Sequence, residues 1–241
     1  MTGTTPLLET QNLNVRFGGV HATRDVNFKL AEAELRCVIG PNGAGKSTFF
    51  KLLTGQVKPT SGRILFRGRD VSAMRPHDPG RIGIGIKTQV PSLFNALSVW
   101  ENIWLAARRV TSKSRANEVT ESTLTRIGML SECRTAVGTL AHGQRQWVEL
   151  GVVLAADPPL LLLDEPAAGM SDVEVARTAE LILEISREHA LVVVEHDMNF
   201  IRMIATTVTV FHQGEIIRED KPDAIMNDPL IRQIYLGKKP H

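Results

Sequence analysis

The residues best suited to chemistry lie in one glycine-rich stretch, residues 40–48, with the sequence GPNGAGKST. The stretch fits the pattern G-x-x-x-x-G-K-[ST], with Gly40, Gly45, Lys46 and Ser47 at the fixed positions. A polyphosphate must be wrapped by backbone N–H groups, and glycines let the backbone turn tightly enough to point them inward. An apolar strand-like run precedes the stretch and a helical run follows it. The pattern therefore predicts a phosphate-binding loop rather than an ordinary turn.

Within this loop each residue type has its own predicted role. Gly43 and Gly45 allow the tight turn, and the helix beginning near Lys46 aims free N–H groups and its positive dipole end at the same anion. Lys46 is long enough to reach the β- and γ-phosphates, and the Ser47 hydroxyl is suited to bind Mg²⁺. The predicted nucleotide-binding residues of the loop are Gly40, Asn42, Gly43, Ala44, Gly45, Lys46, Ser47 and Thr48. The loop alone predicts a nucleoside triphosphate and leaves the reaction open.

Two acidic residues end a second apolar run. Residues 160–163 are four leucines, a length and composition typical of a strand buried on both faces. Asp164 and Glu165 follow them, and Pro166 stops the strand. Beside a phosphate loop, Asp164 is suited to hold Mg²⁺ through water, and Glu165 to polarise an attacking water. The alternative, that the two acids only add solubility, is disfavoured because the phosphate loop needs a metal partner.

Two further side chains are candidates for nucleotide contacts. His196 follows the apolar run 191–194, at the strand edge where α/β proteins place their ligands. We interpret it as a γ-phosphate contact, although a lone histidine is usually structural. Phe17, followed by two glycines, could stack on a nucleotide base. On its own residues, a core phenylalanine is the favoured alternative.

The composition limits the class of protein. The 241 residues suffice for one large α/β domain or a core with a smaller lobe. A net charge of +2 is too small to indicate a nucleic-acid partner, so none is expected. The two cysteines, Cys37 and Cys133, have no paired or metal-like spacing, which fits a reducing cytosol. The first residues do not resemble a signal peptide, and no run approaches the roughly twenty apolar residues of a membrane span.

The elements that position the candidate residues can be outlined from hydrophobic periodicity. Alternating segments within 7–36 and at 62–66 predict a mostly antiparallel sheet beside the loop, and 82–88 predicts a strand leading to Gln89. The second alternating segment, VNFKLAEAELRC, is interpreted as one strand. A hairpin over 208–219 and helical segments from 223 to 236 complete the chain.

The middle of the chain is predicted to be helical. Ser98 to Glu101 forms a capping box that opens a helix carrying Trp100 and Trp104 on one face. The two tryptophans are interpreted as core, or as a docking patch if exposed. A later helix carries an apolar stripe formed by Val119, Leu124, Ile127 and Leu130. We predict one domain over 1–241, in which a helical subdomain, 90–158, is inserted between 1–89 and 159–241.

The motifs occur in a recognisable order. The phosphate loop, Gln89, LAHGQ at 140–144, LLLLDEP at 160–166 and His196 resemble the nucleotide-binding subunit of ATP-binding cassette (ABC) transporters. The resemblance covers nearly the whole chain. It implies an α/β fold with a RecA-like P-loop NTPase core, an N-terminal antiparallel β subdomain and an inserted α-helical subdomain. It also implies ATP hydrolysis with ATP and Mg²⁺.

The resemblance also implies roles for individual residues. Phe17 would stack on adenine, Gln89 would contact Mg²⁺ and the attacking water, Glu165 would be the general base, and His196 would hold the γ-phosphate. The implied metal ligands are Ser47, Gln89 and Asp164. The implied signature residues, which would bind the ATP of a second cassette, are Leu140, Ala141, His142, Gly143 and Gln144.

The resemblance implies partners as well. They are a second ABC ATPase subunit in a head-to-tail pair, two transmembrane permeases and, indirectly, a periplasmic substrate-binding protein. The protein is then expected to be cytoplasmic and peripheral on the inner face of the membrane. Residues 90–104 are the candidate permease-facing surface, where an exposed Phe94 or Trp100 would fill a groove.

Two positions depart from the family pattern. The usual signature is LSGGQ, and here Ala141 and His142 replace the serine and a glycine. The loop after the acidic strand more often ends in leucine-aspartate, whereas this chain has Met170 and Ser171 with the acid one residue later. We hypothesise a heterodimer with unequal sites, in which the site using Ala141 is the weaker; a homodimer is the alternative.

The transported substrate is expected from resemblance alone. The segments AHGQRQWVELG, DEPAAGMSD and VVVEHDM look most like the ATPase of urea and short-chain amide importers, with branched-chain amino-acid importers as the alternative. A soluble cassette ATPase acting on DNA or ribosomes is less favoured, because this chain has one cassette and no sustained heptads. A module that binds ATP without turnover is disfavoured by the presence of Glu165 and His196.

Overall fold

The computed structural model of the protein describes residues 5–88 and 92–236. Gln89, predicted to contact Mg²⁺ and the attacking water, lies outside the described residues. The strands are β1 (Leu8–Phe17), β2 (Val20–Leu30), β3 (Leu35–Ile39), β4 (Ser61–Phe66), β5 (Arg69–Asp70), β6 (Ile84–Lys87), β7 (Leu160–Asp164), β8 (Ala190–Val194), β9 (Thr207–His212) and β10 (Glu215–Asp220). The helices are α1 (Lys46–Leu53), α2 (Pro79–Ile82), α3 (Val99–Val110), α4 (Lys113–Ile127), α5 (His142–Leu154), α6 (Asp172–Ile185), α7 (Met198–Ile204), α8 (Pro222–Asn227) and α9 (Pro229–Leu236).

The described strands form two sheets. Four of them pair antiparallel in the order β2-β1-β4-β5, and six form a second sheet in the order β10-β9-β3-β8-β7-β6. In the second sheet β9, β3, β8, β7 and β6 are parallel, and only β10 runs antiparallel. The carboxyl ends of β3, β7 and β8 therefore meet at one edge, where their following residues can share a site.

The structure confirms that the leucine run 160–163 is a strand buried on both faces. Leu161 and Leu163 pack into one apolar cluster together with the helices α3 to α7. Leu160 and Leu162 pack into the other, with α1 and the antiparallel sheet. All four leucines are fully buried, and this burial fixes the register of β7 in the sheet. The register in turn fixes the position of Asp164, the last residue of β7, at the sheet edge.

Two predicted details of the elements are wrong. The segment VNFKLAEAELRC is not one strand, because Ala33 adopts a left-handed φ of 51° and the chain turns between β2 and β3. Leu130 is 47 % exposed rather than part of an apolar stripe. The reason is that α4 ends at Ile127 with Gly128 in a left-handed C-cap, which takes the chain out of helical register before Leu130.

The helical middle of the chain is built from α3, α4 and α5, which contact one another. The predicted capping box at Ser98 and Glu101 is present at the start of α3. Trp100 and Trp104 are partly buried against the apolar core, as the core interpretation expects. Across residues 5–88 and 92–236, none of the helices has the length and apolar character needed to cross a membrane. The subdomain limits at 90 and 158 stay a prediction.

Candidate active site

The phosphate loop and the acidic strand end line one cavity of about 240 Å³. Its walls come from the loop, the start of β2, and the ends of β7 and β8. The lining residues are Val20, His21, Ala22, Asn42, Gly43, Ala44, Gly45, Lys46, Ser47, Thr48, Asp164, Glu165 and Val194. Two segments more than one hundred residues apart in sequence thus meet, as parallel strands ending at a common edge require.

Close backbone packing explains two of the loop glycines. Gly45 has a φ of 106°, and a Cβ there would lie 2.6 Å from the Ala22 carbonyl oxygen. Gly40 has a φ of 153°, and a side chain there would collide with the Phe211 carbonyl. The Gly214 N–H donates to the Ala44 carbonyl at 2.9 Å. The loop is therefore held by the β9–β10 turn, a support that the local sequence pattern does not predict.

The start of α1 offers donors to an anion. Helix α1 begins after Gly45 without a side-chain cap, so its first N–H groups have no partner within the helix. Lys46 Nζ donates to the carbonyls of Gly40 and Pro41. Burial lowers the pKa of the Lys46 ammonium, and the neighbouring Glu165 and Asp164 oppose that shift. The N–H groups and this ammonium together form a cationic end to the cavity.

The opposite wall of the cavity is anionic. Asp164 is the last residue of β7, and Glu165 follows with a left-handed φ of 46°. The Glu165 N–H donates to the Val194 carbonyl at 2.9 Å, which fixes this unusual turn. Burial, and then the neighbouring Glu165 carboxylate, raise the pKa of Asp164 to about 6. Two adjacent carboxylates in a partly buried position are stabilised by any cation placed between them.

His196 lies beside the predicted base. Its Nδ1 is 3.3 Å from Glu165 Oε1, although the histidine side chain is 66 % exposed. The His196 backbone N–H donates to Glu195 Oε2 at 2.9 Å, and Glu195 is itself buried. Burial raises the pKa of the Glu195 carboxyl. Glu195 thus positions the backbone of His196, a role that the sequence did not single out.

The residues at this site suit a magnesium ion. Ser47 and Asp164 line the same cavity from opposite walls and supply hydroxyl and carboxylate oxygens, the ligands that Mg²⁺ prefers. Burial and the adjacent Glu165 carboxylate raise the pKa of Asp164, so a bound cation would stabilise its charged form. Ser47 and Asp164 are therefore the described residues that would hold the metal, whose chemical contribution is to neutralise phosphate charge.

Phe17 ends β1 and pairs in register with Val20, which lines the cavity. The Phe17 ring is 53 % exposed. The core alternative for this residue is therefore wrong, since a core phenylalanine would be buried. Its exposed ring, on the residue paired with Val20 of the cavity wall, is available to an aromatic base.

A buried ion pair near the site was not predicted. Lys87, the last residue of β6, lies 3.8 Å from Glu149 on α5, with side chains 2 % and 6 % exposed. Glu149 Oε1 also accepts the Ser92 N–H at 2.9 Å. Burial lowers the pKa of Lys87, and burial raises that of Glu149, each opposed by the other's charge. In the sequence, this buried pair is indicated by the lysine that ends the apolar run IGIK.

The predicted signature segment, 140–144, lies apart from the cavity and contributes none of its lining residues. It forms the start of α5, with Ala141 at the N-cap. Ala141 has no side-chain oxygen to cap the free N–H groups there, and the Gln144 side chain reaches back to accept the Ala141 N–H at 3.1 Å. The segment thus presents open donors away from this chain's own phosphate loop, which suits a ligand held by another molecule.

Comparisons with known proteins agree with this geometry. The family model "ABC transporter" matches residues 23–168. LivG of Escherichia coli K12, a high-affinity branched-chain amino acid transport ATP-binding protein, is 33 % identical, with 97 % of this chain and 98 % of the relative covered. LptB of Acidithiobacillus ferridurans, a lipopolysaccharide export system ATP-binding protein, is 31 % identical, with 96 % and 97 % covered.

A solved structure matches as well. An ATP-binding cassette of an ABC transporter in its ADP conformation superposes with a TM-score of 0.87 at 25 % identity, covering 98 % of this chain and all of the other.

Proposed function

This chain belongs to the ABC transporter family as an ATP-hydrolysing subunit, and from that premise we propose that it powers the import of branched-chain amino acids. The observation that carries the hydrolytic part is the single cavity in which the phosphate loop faces Asp164 and Glu165. The likeness to LivG supports the substrate class. The expected urea or short-chain amide substrate finds no support in the relatives named above, so the alternative is preferred.

The proposed chemistry assigns each wall of the cavity a task. The loop N–H groups and Lys46 bind the β- and γ-phosphates, and Phe17 stacks on the adenine. Glu165 accepts the proton of the attacking water. His196, 3.3 Å from the Glu165 carboxylate, orients that carboxylate and contacts the γ-phosphate. Gln89 is proposed to contact Mg²⁺ and the attacking water.

The proposed assembly follows from the position of the signature segment. Because 140–144 is separate from this chain's own cavity, we assign it to the ATP of a second cassette. Two permeases would span the membrane, a periplasmic protein would supply the substrate, and this chain would work on the cytoplasmic face. ATP would close the two cassettes and hydrolysis would reopen them. A heterodimer with unequal sites stays our hypothesis, because Ala141 lacks a capping hydroxyl.

Uptake of labelled substrates tests the proposal. Cells whose only copy of this chain carries Lys46→Ala should lose leucine uptake and keep urea uptake, because the variant cannot hold the phosphates. Lys51→Ala, an exposed lysine on the same helix, is the matched control and should transport normally. Loss of urea uptake alone would restore the urea assignment. Unchanged uptake of both would exclude the proposed substrate class, and a defect in lipopolysaccharide export instead would favour the LptB-like role.

A further inference from the structure

The loop that follows Glu165 touches the start of α5 outside the nucleotide cavity. His142 Nε2 lies 3.0 Å from the Ala168 carbonyl oxygen. A carbonyl only accepts, so the proton of this hydrogen bond is on Nε2 of the histidine. Gln146 Nε2 lies 3.4 Å from the same ring nitrogen, too far to compete with the shorter bond. The glycine of the usual signature has no side chain with which to make this bond.

A second contact joins the same two segments. Glu174, in the first turn of α6, accepts hydrogen bonds from the Ser171 N–H at 2.9 Å and the Ser171 hydroxyl at 2.8 Å. Its other carboxylate oxygen packs so closely against Gly143 that any side chain at position 143 would collide with it. These hydrogen bonds lower the pKa of Glu174, and His142 adds to that shift. The end of the loop is therefore seated on the first turn of α5.

The loop itself is compact and leaves little room for the imidazole. Gly169 has a φ of 72°, and a Cβ there would lie 3.2 Å from His142 Nε2. Ala168 N–H donates to the Glu165 carbonyl at 3.3 Å. Ala168 is thus bonded to Glu165 through its N–H and to His142 through its carbonyl. One residue, Ala168, thus connects His142 to Glu165, whose backbone is held at a positive φ.

We propose that His142 is a positioning residue for ATP hydrolysis: by binding the Ala168 carbonyl it holds the loop 166–171 and thereby the direction of the Glu165 carboxylate. The proposal rests on the role of Glu165 given above. According to this proposal, the signature segment positions the catalytic base of its own chain and also binds the nucleotide of the second cassette. A nucleotide bound at the start of α5 then reaches Glu165 through two hydrogen bonds.

Two measurements test the proposal. Backbone hydrogen exchange of the purified full chain, without nucleotide, reports the loop directly. Steady-state ATP hydrolysis by the assembled transporter reports its effect on catalysis. In His142→Ala the amides of 167–171 should exchange faster and kcat should fall, each about five-fold for the loss of one hydrogen bond, while KM for ATP stays unchanged. His142→Gln, which keeps a donor, should restore both. His77→Ala, another exposed histidine, is the matched control and should change neither.

Every other pattern overturns the proposal. Faster exchange with normal kcat would make the contact purely structural. Lower kcat with unchanged exchange would place the action of His142 on the second cassette's nucleotide. Glu165→Gln separates the two inferences, because it should abolish hydrolysis while leaving exchange at 167–171 unchanged. Normal hydrolysis in Glu165→Gln would refute the proposed base, whatever the exchange data for His142 showed.

Discussion

At the scale of the residue, Ala141 has the backbone of a helix cap without the side chain. Its φ and ψ of −62° and 159° closely match those of Ser98 and Ser112, which cap α3 and α4. Both serines accept a hydrogen bond from the N–H three residues on, and Ala141 accepts none. The N-terminus of α5 therefore has one more N–H group without a side-chain acceptor than the N-termini of α3 and α4 have.

Ala141→Ser should stabilise the chain, because the new hydroxyl would accept the Gln144 N–H. Side-chain caps contribute about 1 kcal/mol to the free energy of unfolding, which corresponds to a rise in Tm of about 2–4 °C for a chain of this size. Thermal unfolding followed by circular dichroism measures the change. Ser98→Ala, which removes a formed cap, should lower Tm by a similar amount. A Tm of Ala141→Ser equal to that of the unaltered chain would show that α5 is capped in another way.

The residues that could be predicted are those whose neighbours in sequence are also their neighbours in space. The phosphate loop and the Asp164–Glu165 pair each lie at the end of a single strand, so each motif is contained in one short stretch of sequence. Lys87 and Glu149 lie 62 positions apart and meet only when α5 packs beside β6. Glu195 directly precedes His196 in the sequence. Its burial, however, depends on the whole sheet edge and not on its sequence neighbours. Neither the partner of Lys87 nor the burial of Glu195 could be assigned from periodicity or motif.

At the scale of the element, one ion pair joins the sheet to α5. Lys87 closes β6 and Glu149 lies in the middle of α5, and both are almost inaccessible to water. Glu149 also accepts the N–H of Ser92, so one carboxylate contacts both Lys87 and Ser92. Buried pairs of this kind are costly to break and less costly to replace as a whole.

Lys87→Met and Glu149→Leu should each destabilise the chain by about 3 kcal/mol, because each leaves a buried charge without its partner. The double variant should lose clearly less than the sum, since no unpaired charge remains. Urea unfolding of the four proteins gives the coupling energy. Glu118→Ala breaks the exposed Arg115–Glu118 pair and should cost less than about 0.5 kcal/mol. Additive losses in the buried pair would mean that other groups neutralise each charge.

The elements were predicted well where apolar periodicity was continuous and poorly where a turn interrupted it. The helices opened by Ser98 and Ser171 and the hairpin at Gln213 and Gly214 have explicit signals, and the structure confirms them. The turn between β2 and β3 has none, because alternating alanine and glutamate continue the period of the strand through Ala33. Only the left-handed backbone there reveals the break.

At the scale of the whole molecule, the helical side of the protein exposes apolar groups near residues 92–105. Phe94 is 61 % exposed and Leu105 is 42 % exposed, whereas Trp100 is partly buried against the core. Asn102 holds the backbone before α3 through bonds to the N–H and carbonyl of Phe94. The aromatic side chain is therefore presented on a rigid backbone, as anchors of protein interfaces commonly are.

Phe94→Ala should reduce co-purification of this chain with the permeases proposed above by about ten-fold, because an exposed aromatic anchor contributes more than ~1 kcal/mol to an interface. Nucleotide binding by the isolated chain should be unchanged, since Phe94 does not line the cavity. Leu130→Ala, an exposed apolar residue elsewhere on the helical side, is the matched control. Co-purification at the normal level would place the permease contact on another face.

The backbone of Glu165 has a consequence for which residues suit this position. A positive φ is a conformation that glycine adopts freely and glutamate does not. Exchanging this glutamate for glycine would relieve the backbone strain and remove the carboxylate in the same step. The proposed base therefore stands at a position where the backbone alone would favour glycine.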